Sequence, residues 1–338
     1  MSDAPQSSEE LEDLLSEPSA AATQAIQQLD GDIIVLGVGG KMGPTLARMA
    51  KRADPQRRVI GVSRFTDEDA RRKLHSSGVE TIACDLLDID QLSKLPDAAN
   101  VVHMPVLKFG ASDDPSRSWA TNCLLAGQVA QKYSQSNIVA FSTGNVYAMV
   151  SPETGGCTEN DELNPQGEYA MSCFGRERIL EHISCNNETR MSIIRLNYAC
   201  DLRYGVMVDI ARSVMAGELI DVSMGYFNTI WQGDANAMTL AAFADATSPP
   251  FVINVTGSAT LNVRQVSERF AQLFNKNVQL VGDETSQAFL SNASSAHDKY
   301  GEPRVNEDRL IEWVADWRLR GGETLNRPTH FQVRDGKF

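Results

Sequence analysis

The 338-residue chain reads as an α/β protein, a doubly wound parallel sheet carrying a smaller C-terminal lobe, and three observations predict this. Residues 32–49, DIIVLGVGGKMGPTLARM, pass from a short apolar strand through a glycine-rich turn directly into a helix. Strand and helix patterns then alternate up to about residue 200, as parallel βαβ units with right-handed crossovers require. The hydrophobic content of 42% is ample for one large core with a lobe beside it. Ile33, Ile34, Val35 and Leu36 form an unbroken apolar run, the mark of a central parallel strand covered on both faces. Gly37, Gly40 and Gly43 follow at intervals of three. They permit a tight turn, close approach of backbone to a pyrophosphate and close helix packing, the opening of a Rossmann-type sheet.

The remaining elements follow in order. Residues 1–29 read as an acidic flexible tail with a weak helix around Leu11, Leu14 and Leu15, because Ser, Glu, Ala and Gln dominate and no core-forming apolar period is present. After the first strand come strands at 58–62, 81–84, 100–104, 137–141 and 192–196, with helices at 67–75, 118–133 and 169–184 between them. Past residue 200 the pattern loosens into a helix at 208–216, a short strand at 251–255, and helices at 263–274 and 307–320. The expected division is a dinucleotide-binding domain at 30–200 with a return segment near 228–256. A smaller substrate lobe takes 201–227 and 257–338. Ligands of such a sheet bind beyond the C-terminal strand ends.

Composition excludes several classes. The net charge is −13, and Asp3, Glu9, Glu10, Glu12, Asp13, Glu17 and Asp30 carry about half of it with no base among them. An acidic body without a basic aromatic stripe argues against nucleic acid. No apolar run is long enough for a membrane span, and the acidic N-terminal region is unlike a secretory signal. Cys84, Cys123, Cys157, Cys173, Cys185 and Cys200 form no CxxC pair and no metal-ligand spacing, so they read as reduced thiols of a cytoplasmic protein with no metal. The expected partner is a small-molecule substrate, and a homodimer is the assembly to test for.

The loop residues Gly37, Gly39, Gly40, Lys41, Met42 and Gly43 are the phosphate-binding candidates, beside a helix N-terminus whose free N–H groups favour anions. At the end of the second strand, where an acid would hold a ribose 2′-hydroxyl, the chain reads Ser63-Arg64. No carboxylate repels a 2′-phosphate there and an arginine is placed to bind one, so NADP is favoured, with NAD still allowed. The alternative is that Arg64 is an ordinary surface residue. Asp85 and Leu86, after the third strand, fall where an adenine edge would lie. Asp85 as a helix N-cap is the competing reading.

These residues resemble the extended short-chain dehydrogenase/reductase family, which includes sugar-nucleotide epimerases and dehydratases. The glycine loop, the segment Phe141-Ser-Thr-Gly-Asn-Val-Tyr147 and the helix start Pro165-Gln-Gly-Glu-Tyr169-Ala-Met-Ser172 carry the resemblance, with Asn254-Val-Thr-Gly257 and residues 291–301 following the C-terminal pattern. It implies Thr143 as the hydroxyl that holds the substrate oxygen and Tyr169 as acid/base. Val102-His103-Met104-Pro-Val-Leu-Lys108 resembles the segment after the fourth strand in the family's epimerases. The match implies that His103 and Met104 line the cofactor and Lys108 lies against it. Asn197 resembles the family's substrate asparagine, Asn145 is a further substrate candidate, and Arg195 or Arg203 is placed to bind an anion; Asn197 and the two arginines read equally as loop or core-edge hydrogen-bonding residues.

Two departures qualify the resemblance. The family's YxxxK motif requires a lysine four residues after Tyr169, on the same helix face, and this chain has Cys173. An ammonium there would bind the nicotinamide ribose and favour phenolate, and a neutral thiol supplies little of either. Lys108 is a candidate replacement, and Arg176, one turn on, is a poorer one. Cys173 and His103 each have a chemical reading, thiol nucleophile and imidazole base, against the commoner one of packing in the core. The second departure is the segment Tyr226-Phe-Asn-Thr-Ile-Trp-Gln-Gly-Asp234, which lacks the arginine that holds a substrate diphosphate in the family. Two functions are consistent with this pattern. One is an NADP-binding epimerase/dehydratase-like oxidoreductase acting on a small polar, sugar or sugar-nucleotide substrate, and the other is a catalytically silent binder of the same cofactor.

Overall fold

The structure, a computed structural model, describes residues 4–337. Seven strands form the central sheet: β1 (Ile33–Leu36), β2 (Val59–Ser63), β3 (Glu80–Ala83), β4 (Asn100–His103), β5 (Asn137–Thr143), β6 (Met191–Leu196) and β7 (Phe251–Val255). They lie in the order β3-β2-β1-β4-β5-β6-β7, every pair parallel. The strand order reverses between β1 and β4, with Leu36 level with His103, and a crevice at such a point is where ligands bind. Alternate residues feed two cores. Ile33, Val35, Val59, Val102 and Val139 face one side, while Ile34, Leu36, Ile60, Val101 and Ile138 face the other. That two-sided burial explains the unbroken apolar runs in the sequence.

The strand at 251–255, read as part of the looser region, pairs with β6 along its whole length and completes the sheet, as the return segment requires. The stretch expected as one helix at 118–133 is a helix at Pro115–Trp119, a π-helical turn at Ala120–Leu124 and a helix at Leu125–Lys132. The extra residue of that turn accompanies a buried Asn122. Its Oδ1 accepts from the Leu107 amide at 2.7 Å and its Nδ2 donates to the Leu107 carbonyl at 3.0 Å.

The acidic tail is a correction. Residues 8–28 form α1 (Ser8–Leu15) and α2 (Ala20–Gln28), each with a serine N-cap, Ser7 and Ser19. Leu11, Leu15, Ala22 and Ile26 are fully buried, so these short apolar stripes are completed by neighbours distant in sequence. The α2 helix packs on α3 (Gly43–Ala53) and on the helix Gln232–Ala241. Acids of the outer face pair with the body: Glu12 meets Arg203 at 2.6 Å and Asp13 meets Arg48.

The smaller lobe packs the helices Val206–Ala216, Val263–Phe274 and Glu307–Leu319 around Phe270, Trp231 and Trp313, the last two edge to face at 5.5 Å. Among the described residues no helix is long and apolar enough to cross a membrane, and no group of His, Cys, Asp or Glu is placed to hold a metal.

Candidate active site

The glycine loop is shaped by backbone contacts that admit no side chain. Gly37 has φ +82°, and the Gly37 and Val38 amides both donate to the Val62 carbonyl, at 2.9 and 3.1 Å. A Cβ on Gly43 would fall 2.3 Å from the Val38 carbonyl oxygen, so only glycine lets α3 start here. The amides of Gly39, Lys41 and Met42 donate to no described residue, and α3 has no side-chain cap. Open donors at a helix N-terminus in a cradle without side chains fit a pyrophosphate. The Lys41 side chain does not take part: its ammonium donates to the Ala199 carbonyl at 2.9 Å and lies 4.1 Å from the Tyr204 ring centre. Burial lowers its pKa, and its contribution to the loop is backbone.

Ser63 packs beneath the loop, where a Cβ on Gly39 would meet its Oγ at 2.5 Å, and Arg64 beside it is exposed. The Ser63 hydroxyl oxygen accepts from the Phe65 amide at 3.0 Å. Asp85 accepts from the Leu87 amide at 3.1 Å in a local turn, while Asp88 caps the helix Ile89–Ser93 in its place. Leu86 is buried in the core on one face of the sheet. The Met104 amide donates to the Leu36 carbonyl at 3.1 Å and extends the β1–β4 ladder past His103.

Thr143, Tyr169, Cys173 and Lys108 come together beyond the ends of β4 and β5. Thr143 ends β5, and its hydroxyl donates to Asn145 Oδ1 at 3.1 Å. Tyr169 lies in the first turn of the long helix Gly167–Asn187 and shares hydrogen bonds with Thr143 and Cys173. Burial, then the neighbouring Cys173, pushes its pKa far above the ordinary phenol range, with Thr143 and Arg176 acting the other way. Cys173 has no exposed surface, and burial pushes its thiol up to about 11, which corrects the reading of a reactive thiol. The Lys108 ammonium lies 5.7 Å from the Tyr169 ring centre and 5.5 Å from that of Tyr198, and burial lowers its pKa to about 8. It is the cation that reaches the tyrosine from outside the helix.

His103 is buried, neither ring nitrogen has a partner, and its pKa lies well below 6.5 because of burial and the nearby Arg176. It is a neutral imidazole with orphaned nitrogens at the strand-order reversal. Arg176 is a clamp. Its guanidinium donates to the carbonyls of Asn122 at 2.6 Å, Phe141 at 2.5 Å and Pro105 at 2.8 Å. It thereby ties the tyrosine helix to the segments that carry Thr143 and Lys108.

The candidate substrate residues divide. Asn145 is buried beside Thr143, with its amide donating to the Thr143 hydroxyl oxygen at 3.2 Å. Asn197 is buried and donates to Asn228 Oδ1 at 2.6 Å, and its own Oδ1 has no partner. Asn228 in turn donates to the Ser291 carbonyl at 2.6 Å, so these amides stitch the sheet to the smaller lobe. Arg203 is corrected: it pairs with Glu12 at 2.6 Å and Asp201 at 3.0 Å and is spent on structure. Arg195 likewise pairs with Glu177 at 2.7 Å, both buried, and Glu177 also accepts from Ser142 at 2.5 Å. Sequence reading missed Glu177 and Asn228. Glu177 stands four residues after Cys173, on the same helix face, which was the available signal; Asn228 had none, since its partners come from distant loops.

A cradle of amides at the reversal of a parallel sheet, with a Thr–Tyr pair at the strand ends, defines a Rossmann-type dinucleotide-binding architecture. Residues 33–200 match the NAD dependent epimerase/dehydratase family, and the chain belongs to that family. No curated protein matches the chain in sequence. Among solved structures, UDP-glucose 4-epimerase from Thermotoga maritima, with UDP-glucose, is similar with a TM-score of 0.70 at 16% identity, over 86% of this chain and 99% of that one. The dTDP-glucose 4,6-dehydratase from Bacillus anthracis, in complex with NAD, gives 0.72 at 15% identity over 86% and 97%. The UDP-glucose 4-epimerase from Thermus thermophilus, also with NAD, gives 0.70 at 17% identity over 86% and 99%. At these identities the likeness is one of fold.

Proposed function

We propose that this protein is an NADP(H)-dependent oxidoreductase of the epimerase/dehydratase type, in which Lys108 replaces the missing helix lysine. The observation that carries the reading is the Lys108 ammonium beside Tyr169, on the side of the sheet where the glycine cradle opens. The amides of Gly39, Lys41 and Met42 would hold the pyrophosphate, and Arg64 would bind a 2′-phosphate as a charge-assisted contact. The bound nicotinamide would supply the hydride acceptor and donor. Tyr169 would take the proton from a substrate hydroxyl and return it, with Thr143 holding the same oxygen. Lys108 would add a second cation near the phenolate, beside Arg176, which works against the burial that raises the tyrosine pKa. Its own pKa of about 8 keeps it mostly charged at neutral pH.

The substrate is proposed to be a sugar or sugar nucleotide, by analogy with the epimerases and dehydratases of like fold. Residues 226–234 lack an arginine, so a diphosphate would need a different partner from the family's usual one. Six cysteines without a disulfide fit a reducing, cytoplasmic setting. A second reading, a silent cofactor binder, is favoured by the raised pKa of Tyr169. Hydride transfer from UDP- and dTDP-sugars to NADP+, read as reduction of the cofactor with Tyr169→Phe as control, separates the two. Turnover that the substitution abolishes supports the enzyme, whereas turnover indifferent to it removes Tyr169 from the mechanism. NADPH binding without turnover on any of these sugars supports the silent binder.

A further inference from the structure

Residues 326–337 follow the helix Glu307–Leu319 and run across both lobes. On the smaller lobe they are anchored three times. The Thr329 amide and hydroxyl donate to Asp209 Oδ2 at 2.7 and 2.6 Å. Phe331 is buried with its ring 6.2 Å from that of Phe227, and Arg334 donates to the Gln287 carbonyl at 2.9 Å. The sheet side is touched beside the reaction centre at two points. The His330 ring lies 5.9 Å from that of Phe109, the neighbour of Lys108. Gly336 meets Gly167, two residues before Tyr169, backbone to backbone: a Cβ on Gly336 would fall 2.2 Å from the Gln166 carbonyl oxygen, and one on Gly167 2.3 Å from that of Gly336. Both glycines have positive φ, +73° and +78°. Residues 326–328 also roof a cavity of about 290 Å³ whose floor includes Tyr204, the ring that holds Lys41 of the glycine loop.

We propose that residues 326–337 form a strap that closes the site between the lobes, so that substrate reaches Lys108 and Tyr169 only when the strap lifts from Gly167. This rests on the reading of those two residues as the reaction centre. The anchors differ in kind, and that difference assigns the moving part. Thr329, Phe331 and Arg334 are held by a carboxylate, by burial and by the Gln287 carbonyl, while residues 335–337 meet the tyrosine helix through a glycine-to-glycine contact without a side chain on either partner. The hinge therefore lies just after Arg334. A strap of this kind limits the site to substrates that fit beneath it, and makes Gly336 and His330 part of its wall.

Cys173 is the reporter, because it is fully buried against Tyr169 and modification requires the site to open. The full chain, Gly336→Val and a chain lacking residues 335–338 are treated with N-ethylmaleimide at pH 9. Each cysteine is then followed by peptide mass spectrometry. Both variants keep the Thr329, Phe331 and Arg334 anchors. The expected result is that Cys173 reacts about tenfold faster or more in both variants, while Cys84 and Cys200, also buried, keep their parent rates. Unchanged Cys173 reactivity would overturn the strap. So would a parallel rise at all three cysteines, which marks general loosening. Protection of Cys173 in the parent by NADPH tests the reaction-centre reading separately, so either idea can fail without the other.

Discussion

Lys108 offers the sharpest test of the proposed site, because its pKa of about 8 puts its charge under experimental control without mutation. Burial lowers it, so the charged form prevails below about pH 8 and is lost above it. With that value, about nine-tenths of the molecules carry the ammonium at pH 7 and about one-tenth at pH 9. A charge-assisted contact to the cofactor contributes about 1.5 to 3 kcal/mol, a ceiling of roughly tenfold to 150-fold in Kd. NADPH affinity, read by fluorescence titration, should therefore fall about tenfold between pH 7 and pH 9. Among the described neighbours, Tyr169 and Cys173 are both raised, the thiol to about 11, while His103 is held neutral. Lys108→Met should bind weakly at every pH, and Lys108→Arg should bind with little pH dependence. Stability runs the other way. The folded pKa lies below the ordinary 10.5, so charging Lys108 costs stability progressively from about pH 10.5 down to about pH 8 and uniformly below. Lys108→Met should therefore melt at the same temperature as the parent or higher at pH 7, which separates lost binding from lost folding. A flat NADPH affinity from pH 7 to 9.5 in the parent would refute the assignment.

Arg64→Ala should weaken NADPH by about tenfold to 150-fold while leaving NADH within about twofold, and equal effects on both cofactors would return Arg64 to the ordinary surface. Removing residues 1–29 should destabilise the protein by several kcal/mol in urea unfolding, since each of the buried Leu11, Leu15 and Ile26 contributes roughly 1.5 to 3 kcal/mol; an unchanged midpoint would mean these helices do not pack in solution. Gly43→Ala should cost about 1 to 3 kcal/mol and abolish cofactor binding, because its Cβ would overlap the Val38 carbonyl. Cys173→Lys, which restores the family motif on paper, should lower the melting temperature. It would bury a third cation beside Lys108 and Arg176, and a stable, more active variant would show that the site has room for both lysines.

The sequence by itself determined the sheet and its first turn, and it named Thr143, Tyr169, Cys173 and Lys108, which the structure brings together. Unbroken apolar runs such as residues 33–36 can only be covered on both faces, and a glycine such as Gly43 is demanded by a carbonyl five residues away, within one local motif. Such signals are short-range, so they survive in the linear pattern. The packing of α1 and α2 was not legible, because a stripe of two leucines is too short to declare itself and is completed by α3 and the helix Gln232–Ala241. Arg203 looked like an anion binder until the fold brought Glu12 to it from far earlier in the chain. Lys108 could be named from its segment, but its lowered pKa arises from the burial that the fold imposes on it beside Tyr169 and Tyr198. The Arg176 clamp and the contact of Gly336 with Gly167 likewise join residues far apart in sequence. Local chemistry is written along the chain, whereas charge pairing, desolvation and closure depend on which distant segments the fold brings into contact.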